Sequence, residues 1–123
     1  MPFLGGDAMS LTEIVRALGL ENLTSELPLE EAGNVDRAHA SDLLSDVLAN
    51  APAGALLITI QVHMNVVAVA VHAGLKAVVM ASGMRPPEDV RGRAVAEKIS
   101  LFTTGESTFD VAGKLYELGL RGK

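Results

Sequence analysis

The sequence predicts an α/β domain, three-layer-like, with a largely parallel sheet built from three consecutive βα units, preceded by an N-terminal helix and an irregular segment. Two observations carry that expectation. "ALLITIQVHMNVVAVAVHAGL", "KAVVMASGMRPPEDVRGRAVAEKI" and "SLFTTGESTFDVAGKLYELGL" each pass from a short apolar run through a polar corner into a helical pattern. Units of roughly 20 to 24 residues alternating in this way are the signature of a parallel sheet with crossover helices. The first half lacks this rhythm.

Element by element, "SLTEIVRALGLENL" places Leu11, Ile14, Val15 and Leu18 at helical spacing, with Ser10 to cap the start and Gly19 to close the end. "TSELPLEEAGNVDRAHA" is irregular, broken by Pro28, Gly33 and Asn34, with room for a short strand near either end. "SDLLSDVLANAPAG" reads as a helix capped by Ser41, with Leu43, Leu44, Val47 and Leu48 as its apolar stripe and Pro52 and Gly54 as its stop. Asn65 is expected to cap the helix "VVAVAVHAG". Pro86 and Pro87 suit a first helical turn followed by Glu88 and Asp89 at the positive end of the dipole. Ser107 with Asp110 approximates a capping box. The expected bounds are a flexible extension over residues 1–9, one domain over 10–119 and a tail over 120–123, with Met9 as a candidate true start.

Composition narrows the function classes. The 123 residues are 49% hydrophobic but 3% aromatic, and the formal charge is −5. Few stacking rings and a net acidic balance disfavour nucleic acid as partner. Cysteine is absent, which removes disulfides and thiolate metal sites and fits a reducing compartment. No apolar run reaches the roughly 18 to 20 residues of a membrane span, and the start lacks the pattern of a signal peptide. A cytoplasmic protein without membrane partner is the expectation.

Parallel strands send their corners to one edge, where open α/β sheets usually take ligands. The corners Gln61 to Asn65, Ala81 to Arg85 and Thr103 to Thr108 bring Gln61, His63, Asn65, Ser82, Gly83, Arg85, Thr104, Glu106 and Ser107 toward one rim. The chain has neither GxxxxGK[ST] nor GxGxxG, so its phosphate signal is reduced to "ASGMRPPED": one glycine, one arginine and a helix start. His39, His63 and His72 show no metal-ligand spacing, and no cofactor is implied. His63 could meet Ser82, Thr104 or Ser107, but no nucleophile elbow or carboxylate pair accompanies it. It therefore stands as ligand contact, structural corner or catalytic base. The helix Val66 to Val71 has no polar face, so it is expected to be central or covered by a second subunit in a homodimer.

"SDLLSDVLANAPAGALLITIQVHMNVVAVAVHAGLKAVVM", with "STFDVAGKLYELGL", resembles the stand-alone DRTGG domain family, which is similar to the N-terminal domain of HPr kinase/phosphorylase. Related domains occur in some phosphotransacetylases and, beside CBS domains, in some inorganic pyrophosphatases. The resemblance spans residues 10–119 and is strongest from Ser41 to Val79. It implies an accessory or regulatory module; joined to the polar rim, the leading expectation is a non-catalytic regulatory or ligand-binding domain that senses a small anionic metabolite or nucleotide there. A protein-interaction module for a redox or hydrogenase-related partner is the alternative, and a small enzyme using His63 the third. Kinase activity is not implied, since the P-loop is missing. The literal DRTGG string is also absent: "NVDRAHASDLL" has Arg37 and Ala38 where relatives carry small glycines, and only Gly83 stands for a glycine pair in the second corner.

Overall fold

In the computed structural model, which describes residues 8–123, the apolar runs of the second half form strands and the segments between them form helices. In chain order the elements are β1 (Met9–Ser10), α1 (Leu11–Leu18), β2 (Glu21–Asn22), a 3-10 turn (Leu29–Ala32), β3 (Asn34–Val35), β4 (Ala38–Ala40), α2 (Leu44–Asn50) and β5 (Leu56–Thr59). They continue with α3 (Met64–Ala73), β6 (Ala77–Met80), α4 (Glu88–Ala96), β7 (Ser100–Thr103) and α5 (Thr108–Glu117). The main sheet runs β2-β7-β6-β5-β4, parallel from β4 to β7, with β2 antiparallel to β7. The first half thus supplies both edge strands, while β1 and β3 pair as a separate antiparallel ribbon.

Both faces of the sheet are covered, which is why its inner strands are continuously apolar rather than alternating. Leu56, Ile58, Ala77, Val79 and Phe102 pack toward α1 and α5. Leu57, Val78, Met80 and Leu101 pack toward α2, α3 and α4. The three crossover helices therefore share one face, and β4 to β7 are laid down in sequence order. No reversal of strand order occurs among them, so the crevice that such a reversal opens is missing from the middle of this rim.

Several helix ends follow their local chemistry. Ser10 Oγ accepts from Glu13 N at 3.1 Å, Ser10 N donates to Glu13 Oε1 at 3.0 Å, and Gly19 closes α1 at φ 66°. Ser107 Oγ accepts from Asp110 N at 3.1 Å. Two expected caps are corrected. Ser41 still donates its backbone N–H to Ile58 O at 3.1 Å, so it belongs to the sheet and α2 starts three residues later. Its hydroxyl closes a local turn on Leu43 N at 3.2 Å instead. Asn65 is not a cap either: α3 begins at Met64, with His63 in the cap position and no side chain serving it. The corner is shortened because Thr59 Oγ1 already gathers Gln61 N at 3.1 Å.

Burial also departs from the apolar pattern. Of the expected α2 stripe only Val47 is buried, while Leu43 and Leu48 are exposed. In α3, Val66, Val67, Val69 and Ala70 are buried, whereas Met64 and Val71 are exposed. Met9 pairs with Val35, Leu120 is buried, and Arg121 bridges to Arg37, so ordered contacts extend on both sides of residues 10–119. The remainder of the expected N-terminal extension, residues 1–7, lies outside the described residues.

Lys98 follows α4 with φ 60°, and its N–H returns to Val95 O at 3.1 Å while Ile99 N returns to Ala94 O at 2.9 Å. This is a left-handed helix terminus, where glycine is usual because a Cβ is penalised. Lys98→Gly is expected to raise the unfolding free energy by about 0.5–1 kcal/mol, the relief being partly offset by a freer unfolded chain. Urea denaturation checks this, and a lower midpoint would contradict it.

Candidate functional site

The rim lies beyond Thr59, Met80 and Thr103, the carboxyl ends of β5, β6 and β7. Its first corner is organised by a residue the sequence did not single out, Asp42. Asp42 Oδ1 accepts from Thr59 Oγ1 at 3.0 Å and from Ile60 N at 2.9 Å. Gln61 Nε2 donates to Asp42 O at 3.0 Å, so Gln61 is committed to holding the corner. His63 and Asn65 are exposed, and neither side chain has a hydrogen-bonding partner among the described residues. His63 thus makes no hydrogen bond to Ser82, Thr104 or Ser107.

The second and third corners are laced together by backbone bonds: Thr104 N to Met80 O at 3.1 Å, Gly83 N to Thr104 O at 2.8 Å, and Ser82 N to Glu106 O at 2.7 Å. Ser82 and Gly83 take φ of 58° and 72°, and Met84 N closes the turn on Ala81 O at 3.1 Å. The buried end of β7 helps, since Thr103 Oγ1 donates to Met84 O at 2.6 Å. Thr104 Oγ1 accepts from Glu106 N at 3.2 Å. Glu106 is paired with Lys114 at 2.6 Å and Ser107 caps α5, which leaves both at the margin.

Beside this lacing is a cavity of about 220 Å³ lined by Gly19, Glu21, Gly83, Arg85, Thr103 and Thr104. Arg85 spans it with a two-pronged bond to Glu21, Nη1 to Oε1 at 2.9 Å and Nη2 to Oε2 at 2.7 Å. The guanidinium holds the Glu21 carboxyl below its ordinary pKa, and Glu21 in turn raises that of Arg85. Both side chains are 56% exposed, so the pair is solvent-screened and exchangeable. Of the residues expected at the rim, the structure gathers Gly83, Arg85 and Thr104 here, with Ser82 and Ser107 nearby in the chain; Gln61, His63 and Asn65 do not line this cavity. Glu21 and Gly19 were not foreseen because their place depends on the register Glu21↔Thr103 across the antiparallel edge.

A larger cavity, about 420 Å³, opens at the amino ends of the strands, around Gly54, Lys76 and Lys98. Volume alone would favour it, but the guanidinium and the convergent polar corners belong to the rim. Among the described residues no group of three His, Asp or Glu side chains is arranged to hold a metal ion, and no helix is long and apolar enough to cross a membrane.

His39 lies on β4, and its Nε2 meets Asp46 Oδ2 at 2.8 Å. Hydrogen bonds from Asn50, then from His39 and Ser41, hold the Asp46 carboxyl down from the usual 3.8 to about 2. A lowered carboxyl pKa contributes stability above its unfolded value and loses it as pH falls toward about 2. NMR titration is expected to show Asp46 ionised well below ordinary aspartates, and Asn50→Ala to move it up. An unshifted carboxyl in the wild type would contradict this arrangement.

No protein-family model matches the chain, and no curated protein matches it. Among solved structures it is similar to the CBS and DRTGG domains of the regulatory region of Clostridium perfringens pyrophosphatase, in a complex with the activator diadenosine tetraphosphate. The TM-score is 0.65 at 18% identity, over 86% of this chain and 45% of that one. The chain therefore spans under half of its structural neighbour, and the likeness is one of fold: a DRTGG-like α/β arrangement found in a regulatory region.

Proposed function

We propose that the protein is a regulatory, ligand-binding domain, without catalysis of its own, that takes a small anionic metabolite or nucleotide at the cavity between the second and third corners. The observation that carries this reading is Arg85, a guanidinium presented in bidentate geometry and held by a single exposed carboxylate. A phosphate or carboxylate can replace Glu21 on the same fork, since bidentate recognition of such groups is what the guanidinium does best. The neighbouring regulatory region, crystallised with a dinucleotide activator, supports nucleotides as the class to test first.

Calorimetric titration with diadenosine tetraphosphate, nucleoside di- and triphosphates, acyl phosphates and phosphosugars tests it. Arg85→Ala is expected to weaken binding by about tenfold to a hundredfold, the loss of a charged hydrogen-bond donor. Glu21→Gln should strengthen it by removing the competing carboxylate. Absence of binding across the panel, or indifference to Arg85→Ala, would sink the reading.

A second reading rests on α5, where Phe109 is 84% and Tyr116 59% exposed on one helical face. Large exposed side chains of this kind favour protein contact, with a redox or signalling enzyme as the candidate class of partner. The exposed Met64 and Val71 on α3 support pairing of two copies. Light scattering behind size exclusion separates these: a monomer at micromolar concentration removes the homodimer.

A further inference from the structure

We infer that the cavity at the amino ends of the strands is a second ligand site, one that takes a small zwitterion of the aliphatic α-amino-acid class. It is distinct from the rim: Lys76 immediately precedes β6, Lys98 and Ile99 precede β7, and Gly54 precedes β5, at the opposite end of the parallel strands. An adjoining cavity of about 370 Å³ shares Glu31, Ala32 and Lys98 with it.

Among its charged side chains, one of each sign has no hydrogen-bond or ion-pair partner among the described residues. Lys76 Nζ is anchored by Ala32 O at 2.6 Å, a neutral carbonyl that takes one of its three donors. Glu97 is paired with Arg93 at 3.1 Å, and Glu26, in the adjoining cavity, with Arg91 at 2.9 Å. Lys98 and Glu31 line both cavities, yet neither side chain has a hydrogen-bond or ion-pair partner among the described residues. An ammonium and a carboxylate that face common space without pairing complement a molecule carrying the reverse arrangement. The carboxylate of an α-amino acid would go to Lys98 and its ammonium to Glu31. Val71, Leu75 and Ile99 provide the wall for an aliphatic side chain, consistent with pockets that fix orientation through a few polar groups on an apolar lining.

The backbone supplies a second, separate observation. Lys98 occupies a left-handed helix terminus, φ 60°, where glycine would be less strained. A lysine is thus held at a position that local conformation assigns to glycine, and strain of this kind is concentrated at functional sites. Its side chain is the unengaged cation of the cavity.

The test is an NMR titration of the full chain with L-leucine and L-valine, alongside 4-methylpentanoate, which lacks the ammonium, and isoamylamine, which lacks the carboxylate. Saturable shifts are expected at Gly54, Gly74, Lys76 and Ile99 with the amino acids, and affinities at least about tenfold weaker for either half-analogue. Lys98→Gly should abolish binding while raising the thermal midpoint, so loss of binding is not mistaken for loss of fold. Glu31→Gln should weaken the amino acids and leave 4-methylpentanoate unchanged. Arg85→Ala, which disables the rim, should leave these shifts intact, so the two sites fail or survive separately. No saturable shift at tens of millimolar amino acid, shifts confined to the rim, or undiminished binding in Lys98→Gly would each overturn the inference.

Discussion

Replacing Phe102 by alanine is expected to lower the unfolding free energy by about 3–5 kcal/mol, the range for emptying a buried aromatic site. Phe102 is fully buried and sits on β7 between Asn22 of β2 and Val79 of β6. It belongs to the core formed with Leu11, Ile14 and Leu18 of α1 and Val111 and Leu115 of α5. The sheet side of the space is fixed by the ladder hydrogen bonds of β7 with β2 and β6, so relaxation is limited to the packing of α1 and α5. With only three phenylalanines in the chain, two of them within the described residues, this ring is the core's one buried aromatic there. Phe102→Leu, closer in volume, should cost less, about 1.5 kcal/mol or below. Urea denaturation followed by circular dichroism measures both; a loss under about 1 kcal/mol for alanine would show the core to be far more plastic than close packing allows.

Thr24→Val should cost about 1–3 kcal/mol although it preserves shape, because it leaves a buried amide without an acceptor. Thr24 is fully buried just past β2, and its Oγ1 accepts from Leu101 N at 3.0 Å. Leu23 N donates to Leu101 O at 2.9 Å, so the two residues continue the pairing of β2 with β7 beyond the strand itself. The threonine hydroxyl stands in for a backbone carbonyl at this edge. Thr24→Ser should retain most of the stability, and hydrogen exchange at the Leu101 amide should accelerate in valine but much less in serine. Equal stability of valine and wild type would mean that water satisfies that amide, and the edge would then be wetter than its burial indicates. The expected change reaches the rim, since Glu21 stands on the same short strand.

The second half of the chain is legible because its signals are local. "LLIT", "AVVM" and "SLFT" are runs that only a sheet covered on both faces can bury, and Ser107, like Ser10 and Gly19 in the first half, acts on its immediate neighbours. The proline pair, expected inside the first turn of α4, instead lies just before it, with Pro87 in the cap position and Glu88 as the first helical residue. The edge strands were not legible in the same way. Glu21–Asn22 and Ala38–Ala40 are two and three residues long, with too little pattern to register, and they are strands because β7 and β5 offer them an edge. Ser41 and Asn65 show the limit of local chemistry: both are good caps, but Ser41 is held in the sheet by its hydrogen bond to Ile58, and α3 begins at Met64, one residue ahead of Asn65.

The candidate site divides along the same line. That Gln61, His63, Arg85 and Thr104 stand at strand ends follows from the βα rhythm, which obliges parallel strands to send their corners to one edge. Which corners share a cavity does not follow from it. Tertiary structure alone decided that Gln61 would be spent on Asp42, that Arg85 would meet Glu21, and that Lys98 and Glu31 would face one another's cavity unpaired. Periodicity reports which way a side chain faces within its own element; partners 64 residues apart, such as Glu21 and Arg85, are set by register and packing between elements.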